Sequence, residues 1–237
     1  ETERLVRGPR EGFTETIEDN VGMVRRWIRD PNLRVEELRL GRRTKTRVNV
    51  MYLSGVVRSD LVKEVRRRLE AIDIDGVLEA GYLEQLIADR RASFFPLVQA
   101  TERSDRAAAA LLEGRVAILV DKSPTTLLVP VTINELYQTP EDYYFSFWVG
   151  SFLRLIRLLG NNLAVAFPGL YIALVVFHPE LLPTELAVAI SATRIRVPAP
   201  LIAELFILEI AVEIFREGGL RLPGATGQTL GVVAGVV

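Results

Sequence analysis

Apolar positions recur at helical and strand spacings through the first 150 residues, then merge into long uncharged runs. Ile17, Val21, Val24 and Ile28 share one helical face, with Thr14 placed to cap the helix and Asp30–Pro31–Asn32 to stop it. Leu38–Leu40, Gly41 and then Arg47–Leu53 predict two strands around a turn, RVNVMYL being rich in β-formers. Leu61, Val62, Val65, Leu69 and Ile72 form the buried stripe of a helix opened by Ser59 or Asp60, with Arg66–Arg68 on its wet face. A helix over Val77–Ala88 follows, and another runs from a cap at Ser104 or Asp105 to Leu112, closed by Gly114. Arg115–Val120 is a continuous apolar run, as in a strand covered on both faces. Thr126–Val131 is a further strand, and Leu97–Val120 reads as a βαβ crossover.

Leu158–Phe177, LLGNNLAVAFPGLYIALVVF, has no charge and the length a helix needs to cross a hydrocarbon core of about 30 Å. Pro168–Gly169 in its middle would break a helix in water, whereas neighbouring helices in a bilayer satisfy the freed backbone groups. Arg154 and Arg157 upstream fit the headgroup level, and Phe145, Phe147 and Trp148 the interface. The alternative is a buried helix pair in a soluble core. Leu186–Ala192 is too short to cross, and Arg194–Pro200 is extended. Leu201–Phe215 is apolar except for Glu204, Glu209 and Glu213; Glu209, Glu213 and Arg216 fall on one stripe, with Glu204 nearly opposite. Such a helix fits an interface, a bundle interior or the wall of a wet cavity. Gly227, Gly231 and Gly235 repeat every fourth residue, the small-residue spacing at which membrane helices pack closely. The apolar run from Ala225 is too short to span, so the chain is expected to be part of a longer membrane protein.

Charge distribution sharpens the boundary. Residues 1–150 hold 23 Lys/Arg and 24 Asp/Glu; residues 151–237 hold 6 and 6. Net charge is −1, which by itself is uninformative, and mean hydropathy is +0.22. There is no cysteine and a single histidine, His178, which argues against disulfides, thiolate metal sites and a histidine-based catalytic dyad. No cofactor and no metal site are expected.

Each candidate for chemistry has a plainer reading beside it. Asp121–Lys122–Ser123–Pro124 follows a strand, where α/β sheets bind ligands, but Asp and Ser also build tight turns. No GxGxxG or GxxxxGK[ST] pattern supports nucleotide binding. Arg25–Arg47 holds eight arginines and Lys45 against Asp30, Glu36 and Glu37, which could face nucleic acid or anionic lipid; with Trp27 its only aromatic, a solvated face or subunit contact is favoured. Glu141–Asp142 has the look of an acid/base pair, and its place at a domain junction favours a helix-start role. His178 before Pro179 reads as a loop residue. Glu204, Glu209 and Glu213 are either polar or gating positions of a membrane domain or partners for Arg194, Arg196, Arg216 and Arg221.

A colinear series of motifs resembles the A subunits of GerA-type spore germinant receptors. It runs VRGPREGFTE at 6–15, N-x3-VRRWI at 20–28, LGRRTKT at 40–46, YLSG at 52–55, TERSD at 101–105 and EGRVAILVDKSP at 113–124. It continues with PEDYY at 140–144, LRLIR at 153–157, PGLYIAL at 168–174, FHPELLP at 177–183, RVPAP at 196–200 and E-x2-REGGLRLP at 213–223. The resemblance implies an α/β soluble N-terminal region of two subdomains, 1–100 and 101–146, followed by a truncated α-helical transmembrane domain from 147 to 237. It implies B and C subunits as partners, self-oligomerisation, membrane lipid contact, an ion channel and no enzyme activity. It places the chain in the inner membrane of a bacterial endospore, with the N-terminal region facing the spore core. Pore residues are expected beyond residue 237, so none is assigned here. Three rival readings are a stage V sporulation AF-like paralogue, a soluble α/β ligand-binding module with an apolar tail, and a nucleic-acid-binding arm.

Overall fold

The computed structural model describes positions 9, 11–89, 96–139, 142, 144–194 and 199–220. The chain divides into two compact units, Glu1–Leu155 and Ile156–Val237. The first is built from α1 (Ile17–Trp27), β1 (Leu33–Leu40), β2 (Thr46–Leu53), α2 (Ser59–Glu70) and α3 (Ala80–Ile87). β3 (Gln99–Thr101), α4 (Ser104–Leu112), β4 (Val116–Val120), β5 (Thr126–Val129) and the single turn α5 (Ile133–Leu136) follow.

The five strands form one sheet in the order β1-β2-β4-β5-β3, each antiparallel to its neighbours. β3 and β4 therefore run parallel with β5 between them, so the expected βαβ crossover is present in split form. The sheet runs across residue 100, the expected subdomain boundary: β2 pairs with β4 from Val48↔Val120 to Met51↔Ala117.

Strand alternation sends side chains to two cores. Met51, Leu53, Ala117, Leu119 and Leu128 pack with α1 and α4, through Ile17, Val24, Ala107 and Leu111. Val48, Val50, Val116, Ile118, Val120 and Leu127 pack with α2 and α3, through Val65, Leu69, Ala80 and Leu83. All five residues of β4 are buried, as its unbroken apolar run predicts.

Several sequence expectations need correction. β1 begins at Leu33, not Leu38, because Arg34, Glu36 and Glu37 hide a strand that lies at the sheet edge, where charged side chains remain wet. α1, α2 and α4 have Thr16, Arg58 and Arg103 at their N-caps, none of whose side chains accepts from a backbone N–H of the helix start. Thr14 is instead tied to buried Asn20: its N–H donates to Asn20 Oδ1 (2.8 Å) and its carbonyl accepts from Asn20 Nδ2 (2.6 Å). Gly114 sits at φ +84°, and a Cβ there would lie 2.9 Å from the Val56 carbonyl oxygen, so this helix stop requires glycine on two counts.

The second unit begins within α6 (Phe147–Ile172), whose first turns belong to the first unit. α6 starts at Phe147, before the expected apolar run at Leu158, and continues as a π-helical turn, Ala173–Phe177. The helix runs straight through Pro168, which deprives a carbonyl one turn earlier of its donor. A 3-10 turn (Pro179–Leu181), α7 (Thr184–Arg194) and α8 (Leu201–Leu220) follow. The 31 residues Phe147–Phe177 are long and apolar enough to cross a membrane. Gly227, Gly231 and Gly235 lie outside the described residues.

Candidate functional site

The polar groups that converge lie where the sheet unit enters α6. Arg103, the residue before α4, is only 2% exposed, and its Nη2 donates to Asp105 Oδ2 at 2.7 Å. Asp105 stands in the first turn of α4, where the partial positive charge of the helix start favours a carboxylate. The same Oδ2 accepts the phenol O–H of Tyr144. Burial, reinforced by that hydrogen bond, pushes the Tyr144 hydroxyl up to about 12, so it remains a proton donor at any physiological pH.

Asp142 is buried next to this contact. Its carboxylate accepts from the Thr139 N–H (3.1 Å) and Thr139 Oγ1 (3.2 Å), and lies 3.5 Å from Arg154 Nε in the second turn of α6. Gly150 lets that helix approach: a Cβ there would fall 2.8 Å from the Asp142 carbonyl oxygen. Asp142 is thus committed to holding the helix start, in agreement with the plainer sequence reading; Glu141 lies outside the described residues. A cavity of about 100 Å³ adjoins the network, lined by Asp105, Arg106, Arg115, Glu135, Gln138 and Tyr144 among others. Arg115 pairs with Glu113 (2.6 Å) and with Glu135, so these acids are already neutralised.

The other sequence candidates are dispersed. Ser123 is buried in a turn: its Oγ accepts from Thr125 N (3.3 Å) and Ala80 N (3.4 Å) and donates to Glu79 (3.3 Å). Lys122 takes φ +68° there, and its N–H donates to the Glu15 carbonyl at 2.8 Å. Five of the eight arginines in Arg25–Arg47 meet acids: Arg26 with Glu11, Arg39 with Glu37, Arg42 with Asp73, Arg43 with Asp75 and Arg47 with Glu18 and Asp121. His178 Nδ1 lies 3.1 Å from Glu180 in a loop. Glu204 lies 3.5 Å from Arg194, Glu213 pairs with Arg216 one turn on, and Glu209 is exposed on α8. Among the described residues, no group of three His, Cys, Asp or Glu side chains is placed to hold a metal ion.

Sequence reasoning missed the Arg103–Asp105–Tyr144 network because Asp105 and Tyr144 are 39 residues apart. The available signal was a tyrosine in a polar motif just ahead of the apolar run, and an aspartate opening a helix.

A family model describing the Bacillus/Clostridium GerA spore germination protein matches residues 1–237. The chain belongs to the GerA family. Among GerA relatives, spore germination protein B1 of Bacillus subtilis (strain 168) is 44% identical and spore germination protein KA of the same strain 43% identical, each over 236 residues. Both alignments take in this whole chain but only 49% and 43% of the relatives, so the chain spans less than half their length. The crystal structure of the N-terminal domain of the A subunit of the Bacillus megaterium spore germinant receptor GerK3 is 49% identical. It covers 52% of this chain and 98% of its own, with a TM-score of 0.43.

Proposed function

We propose that this chain is part of the A subunit of a nutrient germinant receptor in the inner membrane of the bacterial endospore. The observation that carries this reading is the family match along all of residues 1–237, sheet unit and apolar helix together. In this reading the sheet unit faces the spore core and assembles with B and C subunits and with further copies of itself. α6 anchors the assembly in lipid, and the oligomer conducts ions when nutrient is sensed. Glu204, Glu209 and Glu213 are polar positions of the membrane part, and no enzymatic step or cofactor is required.

The test is potassium release from intact spores on nutrient addition, comparing wild type with a strain lacking the gene. Loss of release for one class of nutrient supports the receptor reading. Release that stays normal for every nutrient, followed by slower completion of germination, points to the stage V sporulation AF-like paralogue instead. Substitution of Glu209 and Glu213 in the same strain then reports whether those carboxylates affect conduction.

A further inference from the structure

The two edges of the sheet are finished differently. Edge strands commonly discourage pairing with another chain by being short, bulged, or interrupted by proline or lysine. β3 has three residues, and just past it the chain engages itself: Gly12 bridges Arg103, and the Phe13 N–H donates to the Glu102 carbonyl (2.7 Å). β1 has eight residues in unbroken register with β2, from Leu33↔Leu53 to Leu40↔Thr46, and contains neither proline nor lysine. Among the described residues, no strand pairs with its outer side.

The ladder decides which backbone groups that side offers. The Ser54 N–H donates to the Asn32 carbonyl (3.0 Å), so the even-numbered residues of β1 turn their backbone groups toward β2. Across β2 the Asp121 N–H donates to the Arg47 carbonyl (3.0 Å), which is the same alternation one strand further on. Val35, Glu37 and Arg39 therefore direct their N–H and C=O groups away from the sheet. Leu33 shares their alternation, but its N–H is already spent on the Asp30 carbonyl (3.1 Å). Glu37 and Arg39 are exposed on one face, with Arg39 Nε 3.5 Å from Glu37.

A second copy of β1 fits this edge best in one antiparallel register. Outward residues must meet outward residues, so a symmetric pair centres on a residue, which then faces its own copy. Centring on Arg34, Glu36, Glu37 or Arg39 sets a charge directly against itself. Centring on Val35 brings Leu33, with its N–H spent, opposite Glu37. It also asks Glu36 to leave Tyr52 (2.6 Å) and Arg66 (3.0 Å) for Arg34 of the second copy. Centring on Leu38 sets Glu37 opposite Arg39 of the second copy, and Arg39 opposite its Glu37. Each of these pairs can exchange both N–H···O bonds, and Leu38 meets Leu38 between them.

We propose that β1 is a strand-pairing surface for a second copy of this chain, in the antiparallel register centred on Leu38. The proposal rests on the receptor reading above for a second copy in the same membrane, and it names the surface involved. The overlap, Glu36–Leu40 in each copy, is short, so the pair is weak in free solution. Anchoring both copies in one membrane raises the effective concentration of one edge at the other.

The register can be read by crosslinking, because residues 1–237 contain no cysteine. Leu38→Cys sets two thiols opposite each other in a non-hydrogen-bonded pair, where Cα atoms are about 4.5 Å apart and a disulfide can close. Membranes carrying the full-length protein are oxidised, with the unsubstituted protein as background, and covalent dimer is read on a non-reducing gel. Dimer is expected from L38C, and about tenfold less from V35C, E36C or E37C. Adding Glu37→Arg to L38C sets arginine against arginine and is expected to lower the dimer about tenfold; adding Arg39→Glu as well restores it. Leu38 is half-buried against the α2 side of the core. Where L38C does not accumulate, differently tagged copies carrying Glu37→Cys and Arg39→Cys decide: dimer between the two, and from neither alone, supports the register. Dimer that peaks at position 35, 36 or 37, no dimer at any position, or charge reversal without rescue overturns the proposal. So does crosslinking of L38C only to a different protein, which would make the edge a site for another subunit. Potassium release unaffected by deleting the gene would defeat the receptor reading, while the crosslink would still judge the β1 surface.

Discussion

Tyr144 shows how a single side chain changes character with its surroundings. An ordinary phenol titrates near 10.0, and burial beside Asp105 carries Tyr144 to about 12. The sign follows from linkage: the folded state holds this proton more tightly than the unfolded chain does. The docked, neutral phenol contributes its full stability below about pH 10, and that contribution is lost as pH rises through about 12. An absorbance titration of the chain's six tyrosines is expected to show a late component near 12 that Tyr144→Phe removes. Glu64 shows the opposite direction: Arg67, then Arg68, hold its carboxyl down to about 2. The Arg67–Glu64 pair is solvent-exposed, so its contribution to stability is small despite the large shift. Turn residues were legible one at a time, because Gly114 and Asp121–Pro124 act through local backbone preference. Arg103 was not: nothing in TERSD indicates that its arginine lies 2% exposed beneath a helix.

Elements were legible in proportion to how much of their pattern the core dictates. β4 is buried on both faces, and its sequence VAILV has no polar residue to obscure the period. Leu119→Ala in this strand is expected to cost about 2–5 kcal/mol, because the sheet cannot collapse around the lost volume when helices cover both sides. Native-state hydrogen exchange of the β4 amides measures it, since these open only with the whole unit. β1 was half-hidden because an edge strand needs apolar residues mainly toward the core, and LRVEELRL reads as loosely amphipathic. Helix starts were misplaced by one or two residues because Ser59 and Ser104 have good capping side chains but enter the first turn instead. The start of α6 was set too late for a related reason. Arg154 and Arg157 interrupt the apolar run in sequence without interrupting the helix.

At the scale of the whole molecule, charge density and helix length make one coherent prediction. The sheet unit is densely charged, and the 31-residue helix Phe147–Phe177 is long and apolar enough to cross a membrane. The full-length protein is therefore expected to stay in the membrane pellet through high salt and alkaline carbonate, and to enter solution only with detergent. Release by salt alone would show that charge rather than the apolar helix holds it there.

The amino-acid order by itself determined most of the helices and strands, the apolar run and the family, because each is written in local composition or in colinear motifs. Only the tertiary structure decided strand order and the company each polar side chain keeps. β2 finds β4 and Asp105 finds Tyr144 across long separations, through burial and hydrogen bonding that no local pattern encodes. The outward backbone groups of Val35, Glu37 and Arg39 belong to that second class. They face away from the sheet only because strand order places β1 at its edge.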